Sequence, residues 1–315
     1  MQLVRRIDEI KETGGLLATI GFFDGVHLGH RFLIREMKEA ARERGLPTAV
    51  ITFPRHPRLM LHADYQPKLL NSFEEKITHL AETGIDYCIV LDFTTGLSQL
   101  TAEAFITSVL SRQWRVKTLF VGYDHRFGRD RTDDFRQYAS YGAGCGMEVL
   151  QAPCFVEDER KVSSSEIRKQ LVLGKVEQAA ALLTYPYQLK GHIVRGNRIG
   201  WTLGFPTANI RIDEAFKVLP CEGVYAVWVD LRGERYKGML YIGRRPTFDS
   251  GPVVPEVHIL DFQGDIYTNE ITVSFMYYVR ADIRFHSPEE LKEQLEQDKK
   301  QITAYFENHV FLRSD

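Results

Sequence analysis

Apolar positions in the first half of the chain alternate between two rhythms. Short apolar runs predict buried strands: LLATIG (Leu16 to Gly21), TAVITF (Thr48 to Phe53), YCIVLDF (Tyr87 to Phe93), VKTLFVG (Val116 to Gly122) and MEVLQAP (Met147 to Pro153). Between them lie segments of helical spacing. From His30 to Arg44, residues Leu33, Ile34, Met37, Ala40 and Ala41 share one face, and Gly45 supplies the stop. Ser72 to Thr83 opens on Ser72 and Glu75, a capping box in which each side chain satisfies the other residue's backbone N–H, and closes at Gly84. A further helix begins at Thr101. Such alternation predicts an α/β fold, a parallel sheet covered by helices on both faces. Ligands in such sheets bind beyond the carboxyl ends of the strands.

After Tyr185-Pro186 the pattern changes. YQLKGHIV, GVYAVWVD, YKGMLYIG, PEVHILDF and ITVSFMYYVR follow one another with little helix between them, which predicts an antiparallel barrel or sandwich. A terminal helix starts at Ser287, with Pro288 at its first position, Glu290 at its third, and a stripe of Leu291, Leu295, Ile302, Tyr305 and Phe306. The change of texture places a domain boundary between 1–184 and 185–315, and a chain of 315 residues suits two domains.

Composition narrows the function. A net charge of −2 gives no electrostatic footprint for nucleic acid and no basic face for a membrane. Cys88, Cys145, Cys154 and Cys221 are scattered and read as reduced core thiols, with neither a disulfide framework nor a zinc site. The start of the chain lacks a signal-peptide pattern, and no stretch approaches the ~18 apolar residues of a membrane span. The expectation is a cytoplasmic protein, a monomer or weak oligomer.

The chemistry concentrates in two places. GFFDGVHLGH (Gly21 to His30) follows the first long strand and opens the first helix. A glycine-rich turn there presents backbone N–H groups and the positive end of a helix dipole to an anion. His27 and His30 add donors that suit a phosphate chain or a departing pyrophosphate. Gly29 between them allows close approach, with Gly21, Phe22 and Asp24 lining the turn. The plainer alternative has Asp24 capping the helix while both histidines pack. No third ligand at a recognisable spacing supports metal binding. KVSSSEIRKQL (Lys161 to Leu171) offers Ser163 and Ser164 at a helix start and Arg168 one turn on, a second phosphate-binding set or an ordinary cap.

The second place is GNRIGWTLGFPTANI (Gly196 to Ile210), where Gly196, Gly200 and Gly204 lack the Gly-Lys-Ser/Thr of a Walker loop. Thr207 and Asn209 lie two apart on a predicted strand, so they either share a face that can hold Mg²⁺ through oxygens or bond the local backbone of a turn. In PEVHILDF, Glu256 points away from Val257 and Ile259. It is either a solvated edge carboxylate or a general base for phosphoryl transfer.

Together GFFDGVHLGH, SSSEIR and VGYDHRFG (Val121 to Gly128) resemble the HxGH nucleotidyltransferases, and more closely the adenylyltransferase half of bacterial bifunctional riboflavin kinase/FAD synthetases. GFPTAN, YIGRRPTF and PEVHILDF resemble the kinase half. The resemblance implies a Rossmann-like N-terminal domain that adenylylates FMN to FAD with release of pyrophosphate, and a C-terminal barrel that phosphorylates riboflavin to FMN. ATP with Mg²⁺ serves both, and flavins are substrate and product. His27 and His30 then contact the ATP phosphates with Ser163, Ser164 and Arg168, and Asp124 lies near the reacting groups. Thr207 and Asn209 hold Mg²⁺, and Glu256 activates the ribityl hydroxyl. The chain departs from the family at Trp201 and Tyr241, and its FPRHP run (Phe53 to Pro57) is displaced in detail. One active half with a degenerate, flavin-binding partner is the alternative.

Overall fold

In the computed structural model of the chain, the residues described are 1–11, 14–56, 68–129, 131–155, 162–195, 203–243 and 253–309. Gly196, Gly200, Trp201, Lys161, Pro57 and residues 244–248 of the YIGRRPTF run lie outside them. The chain forms two compact units, Met1–Ser164 and Ser165–Asp315.

The first unit is built on a six-stranded parallel sheet. Its strands are β1 (Gln2–Val4), β2 (Leu16–Ile20), β3 (Thr48–Thr52), β4 (Tyr87–Val90), β5 (Val116–Val121) and β6 (Glu148–Gln151). They lie in the order β1-β4-β3-β2-β5-β6. Residues alternate between two cores, as strand geometry requires. Ala18, Ile20, Ile51, Ile89 and Leu119 face one side with Phe105, Trp114 and Tyr138. Leu17, Val50, Cys88 and Phe120 face the other, with Ile34, Met37, Ala41 and Leu80. The sheet is therefore buried on both faces, as expected of a parallel sheet.

Chain direction across the sheet reverses at β2. From β2 the chain moves to β3 and then β4 on one side, and later to β5 and β6 on the other. A crevice opens at the carboxyl end of such a switch point, and the Gly21–His27 turn sits there. The following helix is Leu28–Arg44, two residues longer at its start than the apolar pattern indicates. The capping residue is His27 and not Asp24: His27 Nδ1 accepts from the His30 backbone N–H at 3.4 Å. The helix Phe73–Glu82 has the expected Ser72–Glu75 capping box. The helical segment after Thr101 is a π-helix over Phe105–Gln113.

The second unit is a closed antiparallel barrel in the order β10-β11-β8-β7-β12-β9. Its strands are β7 (Gln188–Val194), β8 (Ala208–Ile212), β9 (Gly223–Leu231), β10 (Glu234–Gly243), β11 (Val254–Ile259) and β12 (Glu270–Arg280). Register fixes which side chains point inward. Leu240 stands opposite Val257 and Tyr225, and Val273 stands opposite Val229 and Leu189. All six are buried and fill the interior. Gly238 is required there, because a Cβ would come within 2.7 Å of Val229 Cγ2.

The alternate residues Val224, Ala226 and Met239 form an outer core with Ile302 and Phe306 of the terminal helix Pro288–Asn308. That helix is clasped to the end of β12 by Asp298, 1% exposed, which accepts from Arg280 Nε at 2.9 Å and Nη2 at 2.8 Å.

The helices Ser164–Val172 and Val176–Leu183 precede the barrel, and all but Ser164 fall in its unit, whereas the change of sequence texture places the boundary at 184/185. Texture marks where β7 begins. Compactness instead counts the buried side chains Ile167, Leu171, Val176 and Leu183 and the bond from Cys221 N–H to Leu171 O. The four cysteines are free thiols, but only Cys88 is a core residue; Cys154 is exposed.

Candidate active sites

The turn after β2 is bent by three residues with positive φ: Phe23 (56°), Gly25 (85°) and Val26 (37°). A left-handed β-branched residue is an outlier, of the kind that surrounding structure must hold in place. Several bonds do so. Gly21 N–H continues the ladder to Ile51 O at 3.0 Å. The Asp24 carboxylate accepts from the Leu70 and Asn71 N–H groups at 2.9 and 3.3 Å. Ser164 Oγ donates to Asp24 O at 2.9 Å, tying the start of the SSSEIR helix to the turn. Val26 O accepts from Arg31 Nε at 3.2 Å.

His27 and His30 come together on this frame, stacked with ring centroids 3.7 Å apart. Because His27 Nδ1 is an acceptor, its neutral ring carries the proton on Nε2, which remains a donor. His30 Nδ1 is buried and has no hydrogen-bond partner among the described residues. Burial holds the His30 imidazole well below the ordinary histidine range, and the charges of His27, His125 and Lys76 reinforce the effect. A Cβ on Gly29 would meet His27 at 3.4 Å, an ordinary van der Waals contact.

Two groups at this site escape a reading of motifs. His125 lies past β5, across the switch point from His27, and burial followed by Arg131 lowers it to about 4. It belongs to the VGYDHRFG run, in which Asp124, an exposed residue, drew attention instead. Lys76 is buried in the helix Phe73–Glu82. Its signal was present, because Phe73, Lys76, Ile77 and Leu80 share one helical face and a lysine interrupts that stripe. Arg168 belongs to the second unit, where it donates to Ser165 Oγ at 3.1 Å.

The barrel places Thr207, Asn209 and Glu256 together on its outer wall. Glu256 of β11 stands directly opposite Asn209 of β8 on one side and Tyr241 of β10 on the other. Thr207 Oγ1 donates to Glu256 Oε2 at 3.4 Å. The GFPTAN segment is fixed from below. His258 Nδ1 donates to Pro206 O at 2.8 Å, and the His258 ring meets Phe205 edge-on at 5.3 Å. Burial lowers the His258 imidazole, against the pull of that carbonyl. Gly204 turns with φ 84°, and a Cβ there would meet open space. Tyr241 Oη donates to Asp282 Oδ1 at 3.1 Å; burial and then Asp282 raise its phenol.

An imidazole pair at a strand–helix turn on a doubly wound sheet, with a carboxylate–hydroxyl–amide cluster on a separate barrel, defines a two-site phosphate-transferring enzyme. The family model for FAD synthetase matches residues 9–166 and that for riboflavin kinase residues 183–306. The chain is 38% identical over 301 residues to the bifunctional riboflavin kinase/FMN adenylyltransferase of Listeria monocytogenes, covering 95% of each. With that of Escherichia coli K12 it shares 37% over 309 residues, covering 97% of this chain and 98% of the relative. A solved structure described as a macrolide-efflux protein from Streptococcus pneumoniae superposes with TM-score 0.82 at 31% identity, covering 95% of this chain and 97% of that one. Among the described residues no helix is long and apolar enough to cross a membrane. The chain belongs to the bifunctional riboflavin kinase/FMN adenylyltransferase family.

Proposed function

We propose that the two sites divide the family's chemistry between them, Glu256, Thr207 and Asn209 serving phosphorylation and His27 and His30 serving adenylylation. The observation that carries the reading is the register that sets Glu256 against Asn209, with Thr207 bonded to the same carboxylate. In the barrel, Glu256 takes the proton of the riboflavin 5′-hydroxyl as its oxygen attacks the γ-phosphorus of ATP, and ADP leaves. Thr207 Oγ1 and Asn209 Oδ1 are hard oxygen donors that would suit Mg²⁺. Bound with ATP, that ion neutralises charge on the transferring phosphoryl group. His258 keeps the Thr207–Asn209 segment in place through Pro206.

In the first unit an FMN phosphate oxygen attacks the α-phosphorus of ATP and pyrophosphate departs. His27 Nε2–H and the turn's backbone donors stabilise the charge gathering on the phosphates. Ser163 and Ser164, at the end of the same unit, add hydroxyl donors to the phosphate-binding set. Each half matches its own catalytic family, which supports two activities over a degenerate half.

The test is incubation with riboflavin, ATP and Mg²⁺, with the flavins separated by chromatography. FMN followed by FAD is expected. Glu256→Gln should lower FMN formation ~10²–10⁴-fold, the usual cost of losing a general base, and leave conversion of added FMN to FAD intact. Near-normal riboflavin phosphorylation by that variant overturns the assignment of Glu256.

A further inference from the structure

Lys76 is 3% exposed. A buried ammonium carries a desolvation penalty of several kcal/mol unless it is well partnered, and here its partners are main-chain carbonyls. Nζ donates to Phe53 O at 2.7 Å and to Phe22 O at 3.1 Å, and stands 4.1 Å from the centroid of the Phe22 ring. Phe22 O also accepts from Thr52 Oγ1 at 3.2 Å. Phe53 is the first residue beyond β3 and Phe22 the second beyond β2, and these strands are neighbours in the sheet. One cation thus grips both strand ends at the root of the turn that carries His27 and His30.

We propose that Lys76 is a positioning residue for adenylyl transfer: its ammonium fixes the base of the Gly21–His27 turn and so the placement of the imidazole pair. No direct contact with ATP or flavin is required. The requirement is for the charged form, because a bond from an ammonium to a carbonyl is roughly twice as strong as one from a neutral amine.

Titratable groups lie on several of the elements around Lys76, and two of them bear on its protonation. Asp24 on the turn and Cys88 on β4 favour the ammonium. His30, on the helix Leu28–Arg44, is coupled to it through space, and His56 sits edge-on to the Phe22 ring that covers it. Glu75 and His79 lie on its own helix. Burial outweighs the favourable charges and brings Lys76 from 10.5 down to about 8. The ammonium is therefore present at neutral pH and lost as pH rises through about 8. The burial of Cys88 pushes its thiol up to about 11, beyond that window.

The experiment uses the full chain and reads both reactions on the same samples from pH 6.5 to 10. For the native protein, kcat/KM for FAD formation from FMN should fall along an alkaline limb centred near pH 8, while riboflavin phosphorylation shows no limb at that position. Lys76→Met, checked for folding by circular dichroism, should lose about 10²-fold in adenylylation, the scale of a small misplacement at a reacting centre, keep phosphorylation, and lose the limb. Lys76→Gln is the second variant should Met fail to fold. A native profile without an alkaline limb between pH 7 and 9.5 overturns the proposal. So does a folded Lys76 variant that keeps the native limb or stays within twofold of native FAD synthesis.

Discussion

The rings of His27 and His30 lie 17° from parallel at 3.7 Å, while the backbone N–H of His30 donates to His27 Nδ1. One imidazole therefore caps a helix and stacks on its neighbour, and in the proposed reaction it also meets the phosphates. Its folding and chemical duties can be separated by substitution.

His27→Ala should remove both duties. Loss of a side-chain cap costs ~1 kcal/mol, and loss of a preorganised donor ~10²–10³ in kcat for FAD formation. His27→Asn restores a capping oxygen without the Nε2 donor. It should recover the melting temperature but not the rate, and riboflavin phosphorylation should stay at the native level in both. Recovery of the FAD rate in His27→Asn would show that the ring acts only as a cap.

Acid should weaken the first unit through His125. Its folded value of about 4 lies below the ordinary 6.5, so between these values the unfolded chain binds the proton and the folded unit does not. Stability is complete above pH 6.5 and declines as pH falls towards 4, by up to about 3 kcal/mol from this group. His125→Gln should flatten the fall in melting temperature over that range. An unchanged slope would place the acid sensitivity elsewhere, His30 being the next candidate because burial depresses it too.

Tyr241 leans along β10 over Gly243, so that a Cβ on Gly243 would lie 2.0 Å from the phenol oxygen. Gly243→Ala should drive Tyr241 off Asp282 and disturb the wall beside Glu256, slowing riboflavin phosphorylation with FAD synthesis from FMN unaffected. Tyr241→Ala removes the clash. The double variant should therefore lose less than the sum of the two single losses, the signature of contacting residues. Strict additivity would contradict the contact.

The boundary can be tested by truncation. A fragment of 165–315 retains Ile167, Leu171, Val176 and Leu183, all buried, whereas 185–315 lacks them. Each such side chain contributes about 1.5–3 kcal/mol when fully buried, together comparable to the ~5–15 kcal/mol that holds a domain. The longer fragment should melt cooperatively and convert riboflavin to FMN, and the shorter one should not. Equal melting temperatures would return the boundary to 184/185.

Strands were legible where burial leaves a run of one kind of residue: LLATIG and TAVITF stand where their apolar content places them. Crowded unusual residues were legible as a cluster: His27 and His30 stand together as stacked rings. What sequence could not supply was partnership across distance. The carbonyls that make a buried Lys76 tolerable come from residues 23 and 54 positions away. Tyr241 looked like a departure from a pattern, yet only the register reveals that it flanks Glu256 and reaches Asp282, 41 positions on. His125 was passed over beside Asp124 because exposure, not residue type, separates them. The two helices before β7, Ser164 apart, fall in the barrel's compact unit although the texture changes only after them, since local texture says nothing of where an apolar face is buried.

The barrel is closed and its interior is filled by Tyr225, Val229, Leu240, Val257 and Val273, so Glu256, Asn209 and Thr207 lie on its outside wall. Scaffold and workplace are thereby insulated from each other by the thickness of one strand. Conservative exchanges of similar volume inside, such as Leu240→Met, can retune rigidity or heat tolerance while the outward-facing alternates keep their register. Such a barrel can be refilled from within and still hold Thr207, Asn209 and Glu256 side by side on its outer face.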